Sequence, residues 1–341
     1  MRSFKHLALV IVTLVGTLLA SCAAPAAAPA TQPPPAAATA APKKKLKVAL
    51  VHYGVFTDKS WGQGAYEGFM RAVKEYGLDS ATTEMLPQAE WEATFRDYGA
   101  RGFDLVVGTD GSMDDTAKPV APLYPKTMYV IDSGRYADGK NIASIAIAEW
   151  QEGYLGGAVM SHITKSKKIA FIGGTDAPTI VQVETGMRAI AQQVDPNIQV
   201  TASYVGSWTD VQKAKELASA MIDTGVDVIM PKADAGSVAA IGVAADRNIL
   251  AVGATGDMTS VSPDHVVASA RARNDEAVYR AVKMFAEGKL EPKVYTWGAA
   301  EGVVDLVWNP AFKDKYPDVV KFSQQVFDDL VAGKIKEPER K

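Results

Sequence analysis

The sequence predicts an α/β protein of two lobes, each a doubly wound parallel sheet, with a ligand cleft between them. Three observations predict it. From Lys45 onward, short β-branched runs ending in Gly- or Asp-rich turns alternate with amphipathic stretches. The alternation runs through two series that part near Ile145. A chain of 341 residues is also too long for one small core and long enough for two. Strands alternating with helices imply parallel sheets covered on both faces.

The elements follow in order. KLKVALVHYG reads as a buried strand and WGQGAYEGFMRAVKEYG as a helix. FDLVVGTDG is a strand, with a helix through 114–123, and TMYVIDSG is another strand. The cycle resumes with KKIAFIGGTD and a helix over 179–193, then IQVTASYVGSW and a helix over 210–224. VDVIMPKAD, a helix over 235–246 and NILAVGATGD complete the second series. HVVASARARNDEAVYRAVKMFAEG adds a strand and a helix, YTWGAAEGVVDLVWNP a β-rich finish, and 313–332 a last helix. This places the first lobe at 45–146 with 262–290, and the second at 147–261 with 291–341.

Before the lobes, residues 1–21 carry Arg2, Lys5 and His6, then an apolar stretch from Leu7 to Ala20. That stretch suits a signal-peptide core better than a membrane span. Leu19, Ala20 and Ser21 precede the single cysteine, Cys22, in the pattern of a bacterial lipobox. An exported chain with one thiol forms no internal disulfide; a thioether lipid anchor at Cys22 explains the residue. Residues 22–44 are almost entirely Ala, Pro and Thr until the lysines that begin at Lys43, which favours an extended, semi-rigid tether. The net charge of −3 becomes −5 when Arg2 and Lys5 leave with the signal, which is no nucleic-acid footprint. The expected location is extracytoplasmic and membrane-anchored, as a monomer. Anchored export, a tether and two α/β lobes match the architecture of bacterial solute-binding proteins, an analogy of fold that names no ligand.

In open parallel sheets ligands sit beyond the carboxyl ends of the strands. The loops to examine are therefore 52–63, 108–115, 173–178, 206–210, 232–237 and 253–258. In the first, Trp61 offers a flat indole for stacking; Asp58 and Gln63 are contact candidates, and Ser60 is the expected helix cap. Asp110 and Asp114 follow FDLVV, one expected to cap and the other, Asp114, to accept hydrogen bonds from ligand N–H groups. Trp208 would close on the opposite face of a ligand held by Trp61, and Asp210 caps the next helix. Asp234 and Asp257 add carboxylates from the second lobe, the latter for sugar hydroxyls or for a turn. Two aromatics from facing lobes suit a planar heteroaromatic solute.

Enzyme signals are weak. There is no nucleophile elbow and no phosphate loop. His6, His52, His162 and His265 have no metal-ligand spacing, so neither a metal nor a cofactor is expected.

The blocks TDKSWGQGAYEG, YLGGAVMSHITKSKKIAFIGG, GSWTD with its following helix and GVDVI, and AVGATGDM carry a family resemblance. The chain resembles the basic membrane protein family, which includes purine nucleoside receptors, over roughly 45–307. The resemblance implies a type I periplasmic-binding fold and a role as the solute receptor of an ABC importer, with permease and ATPase partners and mostly purine ligands. It implies that Trp61 stacks on the base, that Trp208 is the second-lobe aromatic, that Asp114 contacts the ligand and that Asp257 binds ribose hydroxyls. Three positions depart from the pattern. His52-Tyr53 stands where relatives have Asp, Gly62 stands for Asn, and Ala272 for Lys, flanked by Arg271 and Arg273. A free base, riboflavin, another planar solute or a sugar therefore stays open beside a nucleoside. A surface nucleoside-processing enzyme and a sensor module are the readings from other classes.

Overall fold

Val48 and Leu50 of the first strand enter one apolar cluster while Ala49 and Val51 enter another, so this strand is buried on both faces. That is the expected state of a strand inside a parallel sheet covered by helices. The structure, a computed structural model, describes residues 45–58 and 60–339. The proposed signal, tether and Cys22 anchor lie outside the described residues.

The first lobe begins β1 (Lys47–Val51), α1 (Trp61–Tyr76), β2 (Asp79–Thr83), α2 (Trp91–Ala100), β3 (Leu105–Gly108), α3 (Met113–Val120), β4 (Met128–Asp132) and β5 (Ile142–Ile147). The chain then builds the second lobe with α4 (Glu149–Ile163), β6 (Lys168–Gly173), α5 (Pro178–Val194), β7 (Gln199–Tyr204), α6 (Val211–Asp223), β8 (Val228–Lys232), α7 (Ala235–Asp246), β9 (Leu250–Ala254) and β10 (Val266–Ala272). It returns to the first lobe for α8 (Asn274–Ala286) and β11 (Val294–Trp297), and ends in the second with β12 (Val304–Trp308), α9 (Pro310–Lys313) and α10 (Pro317–Val331).

The sheets run β2-β1-β3-β4-β5-β11 and β7-β6-β8-β9-β10-β12, the same order twice. All pairings are parallel except β10 with β12, which is antiparallel. Two doubly wound α/β lobes are therefore present, as expected from the alternation.

Two boundaries need correction. Residues 266–272 belong to the second sheet, whereas the sequence places 262–290 in the first lobe; of that stretch only the helix α8 crosses back to pack on α1. Residues 294–297 extend the first sheet, whereas the sequence places 291–341 in the second lobe. Both errors have one cause: the chain crosses between lobes three times, and the crossings are one- to six-residue segments without compositional change. They are tied together by backbone bonds. Ala148 N–H donates to the Trp297 carbonyl (2.8 Å) and Arg273 N–H to that of Val303 (2.7 Å). The expected last helix, 313–332, is α10, which starts four residues later because Pro317 suits a helix's first turn; the short α9 precedes it.

Besides α9, four elements have no counterpart in the sequence reading: β2, α2, β5 and α4. The edge strand DSATT is largely exposed and carries no apolar alternation. Helix α4 is buried on nearly every side, so it shows no polar face by which a 3.6-residue period is recognised. Its Gly153 lies against the Val183 carbonyl of α5, and Gly186 of α5 lies against the Trp150 carbonyl, so the two backbones meet where no side chain fits.

Candidate functional site

The carboxyl ends of the two sheets enclose a cavity of about 510 Å³, within the size range of small-molecule sites. All six loops singled out above contribute to its wall, and two further segments join them: Ser133 and Arg135 after β4, and Glu149 at the start of α4. Trp61, Asp110 and Asp114 line it from the first lobe; Trp208 and Asp234 line it from the second. Asp58, Gln63 and Asp257 do not.

On the first-lobe side, Thr109 positions two rings. Its carbonyl accepts the Trp61 indole N–H (2.9 Å), and its hydroxyl stands 2.7 Å from His52 Nδ1. The hydroxyl donates to the Val51 carbonyl (3.2 Å), so His52 Nδ1–H is the donor to it. His52 is fully buried, and burial outweighs the nearby Asp58, Asp110 and Glu84 to pull it down to about 4. It is a neutral ring at physiological pH. Its Nε2 lies where a side chain at position 62 would begin, so the residues at 52 and 62 are sterically coupled.

Asp58 caps α1: its carboxylate accepts from the N–H groups of Ser60, Gly62 and Gln63 at 2.8–3.0 Å. The expectation that Ser60 is the cap fails because its hydroxyl is directed across the cleft instead. Gln63 donates to Glu67 on the outer face of the same helix. Asp110 accepts from Ser112 N–H (2.8 Å), a local turn at the cavity edge. Asp114 accepts from Arg135 N–H (2.7 Å) and the Ser144 hydroxyl (3.0 Å). Burial raises it above the ordinary carboxylate range, and those two bonds offset part of the rise.

On the second-lobe side, the Trp208 ring lies on Gly174, where any Cβ would collide with it. Asp210 caps α6 through Lys213 N–H (2.9 Å), as expected. Asp257 is exposed and accepts from Thr259 N–H (2.9 Å) and its hydroxyl (2.7 Å), which fixes a turn outside the cavity. Ala272 is buried in β10, and its flanking arginines are engaged elsewhere: Arg271 with Asp305 and Arg273 with Asp275.

The groups that sequence reasoning missed are ionic. Lys232, at the end of β8, is 5% exposed and bonds Glu149 (2.9 Å) and Glu152 (2.6 Å) of α4. Burial alone would lower its ammonium, but the two carboxylates outweigh burial and hold it above its ordinary value. Burial raises Glu152; Lys232 pulls it back only in part, and the like charge of Glu149 adds to the rise. One ammonium compensates one of two carboxylates. Asp234 then joins the lobes. It accepts from the Ser60 hydroxyl (2.9 Å) and the Tyr53 hydroxyl (3.2 Å) of the opposite side. Burial, with Asp58 nearby, pushes it up to about 6 against those two bonds.

Backbone strain marks the same place. Of the six non-glycine residues with left-handed φ among the described residues, Ser133 (63°), Asp234 (45°) and Thr255 (68°) all line the cavity. Such strain persists where surrounding structure holds it, commonly at ligand sites. Among the described residues no group of three His, Cys, Asp or Glu side chains is placed to hold a metal ion, and no helix is long and apolar enough to cross a membrane.

Comparison with known proteins agrees with this construction. In structure, the chain is similar to a solute-binding protein of an ABC transporter system from Aeropyrum pernix K1 (TM-score 0.77, 22% identity, 86% of this chain and 94% of that one). It is also similar to GanP, a glucose-galactose binding protein from Geobacillus stearothermophilus (TM-score 0.62, 16% identity, 78% and 98%). At these identities the likeness concerns the fold, which is the type I periplasmic one. In sequence, it is 28% identical over 297 residues to a purine-binding protein of Brucella abortus, covering 86% of this chain and 83% of that one. It is 26% identical over 280 residues to basic membrane protein A1 of Borrelia garinii (77% and 80%). It is 33% identical over 193 residues to the ABC transporter nucleoside-binding protein BmpA of Lactococcus lactis, 55% of each chain. The Bmp family profile, described as ABC transporter substrate-binding protein PnrA-like, matches residues 45–336. With both lobes and every cavity-lining loop inside that match, the chain belongs to the Bmp family of PnrA-like ABC transporter substrate-binding proteins.

Proposed function

We propose that this chain is the lipid-anchored receptor of an ABC importer and that it captures a purine, as nucleoside or free base, between its lobes. The observation that carries the reading is the pairing of Trp61 and Trp208, which reach one cavity from opposite lobes with carboxylates beside them. Base–aromatic stacking contributes roughly 1–3 kcal/mol per base in nucleic-acid proteins. The ligand would bridge the lobes and stabilise a closed state through contacts absent when the cleft is open. The relatives named as nucleoside-binding and purine-binding support the same class.

Within that class the free base fits better. Asp257, the residue aligned with ribose recognition, faces away from the cavity, and position 272 carries a buried alanine. Carboxylates and Trp faces remain for a ring. The anchor at Cys22 would keep the receptor extracytoplasmic, next to a permease and its ATPase.

The test is thermal unfolding of the full chain after denaturation and refolding to strip bound solute, with adenine, hypoxanthine, guanine, adenosine, inosine, riboflavin and ribose added singly. Tight binding to the folded state raises the midpoint by mass action. A rise with purines, larger for bases than for their nucleosides, is expected. A rise with riboflavin or ribose alone would overturn the purine reading.

A further inference from the structure

Lys232 and Glu149 stand side by side on the cavity wall, an ammonium donor 2.9 Å from a carboxylate acceptor. We propose that this pair reads the lactam edge of a planar ligand, the adjoining C=O and N–H of an oxo-substituted ring, and that it makes the receptor select oxopurines over aminopurines. The inference deepens the purine reading above and rests on it.

The geometry carries it in three steps. Lys232 has three N–H donors, and carboxylates take two of them. Its Nζ stands 6.0 Å from the centre of the Trp61 ring, too near for a ligand ring to lie between the two, so a ring stacked on the rest of the indole meets the ammonium at its edge. A planar ring resting about 3.5 Å from that indole is brought up against Lys232 and Glu149. The ammonium donates and accepts nothing, so it favours a ring carbonyl and rejects an exocyclic amino group. The adjacent carboxylate accepts the neighbouring ring N–H.

Burial gives the pair its discriminating power. Lys232 and Glu149 are 5% and 2% exposed, so water does not make good a lost partner. A site built to hydrogen-bond a group rejects an analogue that leaves buried polar groups unpaired. Glu152 has a separate part. It is sealed from solvent and accepts Thr255 N–H, and with Glu149 it fixes the lysine in place.

The experiment compares hypoxanthine with adenine, which exchange a carbonyl with its ring N–H for an amino group beside a bare ring nitrogen. Titration calorimetry on the full chain is expected to show hypoxanthine bound at least about tenfold more tightly. Equal affinities, or tighter binding of adenine, would overturn the proposal while leaving the purine reading intact. The double variant K232M/E152Q removes the ammonium without stranding a second carboxylate, and it is expected to lose the preference, the ratio of hypoxanthine to adenine affinity falling to about one. E149Q, which keeps the shape, is expected to reduce the preference as well. Retention of full preference in both folded variants would assign the selection to other groups. If neither purine binds, the purine reading fails, and uracil against cytosine decides the lactam inference. Tighter binding of uracil sustains it, and equal or absent binding ends it.

Discussion

In the first lobe, two carboxylates near the cleft, Asp58 and Asp110, are held by backbone groups close by in sequence. Asp58 accepts from N–H groups two to five residues ahead, and Asp110 from the one two residues ahead. In the second lobe, the buried charges are held by partners far along the chain: Lys232 meets Glu149 and Glu152 across 83 and 80 residues. The sheets have the same strand order, so the contrast does not come from the architecture. It comes from what the charges replace. A capping carboxylate satisfies helix N–H groups that would otherwise face water. A buried ammonium is tolerable only with carboxylates already in place.

The contrast predicts unequal costs. Lys232→Met leaves two buried carboxylates without their cation and is expected to destabilise the protein by about 3–5 kcal/mol. Asp58→Ala removes a cap and should cost about 1 kcal/mol. Urea denaturation of both variants measures the difference. Equal losses would mean that the Lys232 cluster is hydrated in solution, and the distinction between the lobes would collapse.

The packing of the second lobe gives the next effect. At Gly153 a Cβ would overlap the Val183 carbonyl, and that atom is backbone in the middle of a helix, so it has little freedom to give way. Gly153→Ala should cost about 3 kcal/mol from overpacking. At Gly242 of α7 a Cβ meets nothing within 4 Å, and the same change there should be neutral or stabilising. A loss at Gly242 as large as that at Gly153 would refute the close α4–α5 seam.

These same features show what is legible in a sequence. Alternation of apolar runs and amphipathic helices is local, so the α/β class, β1, β3, β4, β6 to β9 and their helices were readable. Cavity loops were readable too, because they follow from strand polarity. The aromatic pair Trp61 and Trp208 could be named from position alone. Helix α4 could not, since a helix buried all round has no period to show. Nor could Lys232, whose role depends on two glutamates brought to it by the fold. The lobe assignment of β10 and β11 turned on sheet pairing, which residue composition does not encode. Asp257 failed for a different reason: resemblance assigned it a ligand, but here Thr259 engages its carboxylate in a turn.

The pH responses separate the lobes again. His52 of the first lobe is buried and neutral, with its value lowered from about 6.5 to about 4. The unfolded chain therefore binds this proton more readily than the folded one. The stabilisation is present above pH 6.5 and is lost as pH falls toward 4. Between pH 7 and pH 5 the loss should be about 2 kcal/mol. His52→Gln should remove that slope; an unchanged slope in the variant would place the acid sensitivity elsewhere.

Asp234 of the second lobe should act in the opposite sense, and on closure rather than on folding. Its raised value comes from burial and from Asp58, with Tyr53 and Ser60 of the first lobe bonding its carboxylate and Lys232 behind it. Opening the cleft removes the first-lobe groups and returns the carboxylate toward water and toward its ordinary value near 4. Closure therefore takes up a proton between about pH 4 and pH 6. The closed state gains as pH falls through about 6 and pays the full desolvation of a carboxylate above it. The closed-to-open ratio of the ligand-free protein should rise about tenfold between pH 7.5 and pH 5. Small-angle scattering reads this as a fall in radius of gyration. Asp234→Asn keeps an acceptor for the two hydroxyls and removes the titration, so its radius should be small and flat with pH. Tyr53→Phe, which deletes one bond across the cleft, should raise the radius at every pH while leaving the direction of the pH response unchanged. A wild-type radius that grows as pH falls would mean that the hydroxyl bonds to the ionised carboxylate outweigh its burial, and that the cleft is latched by charge.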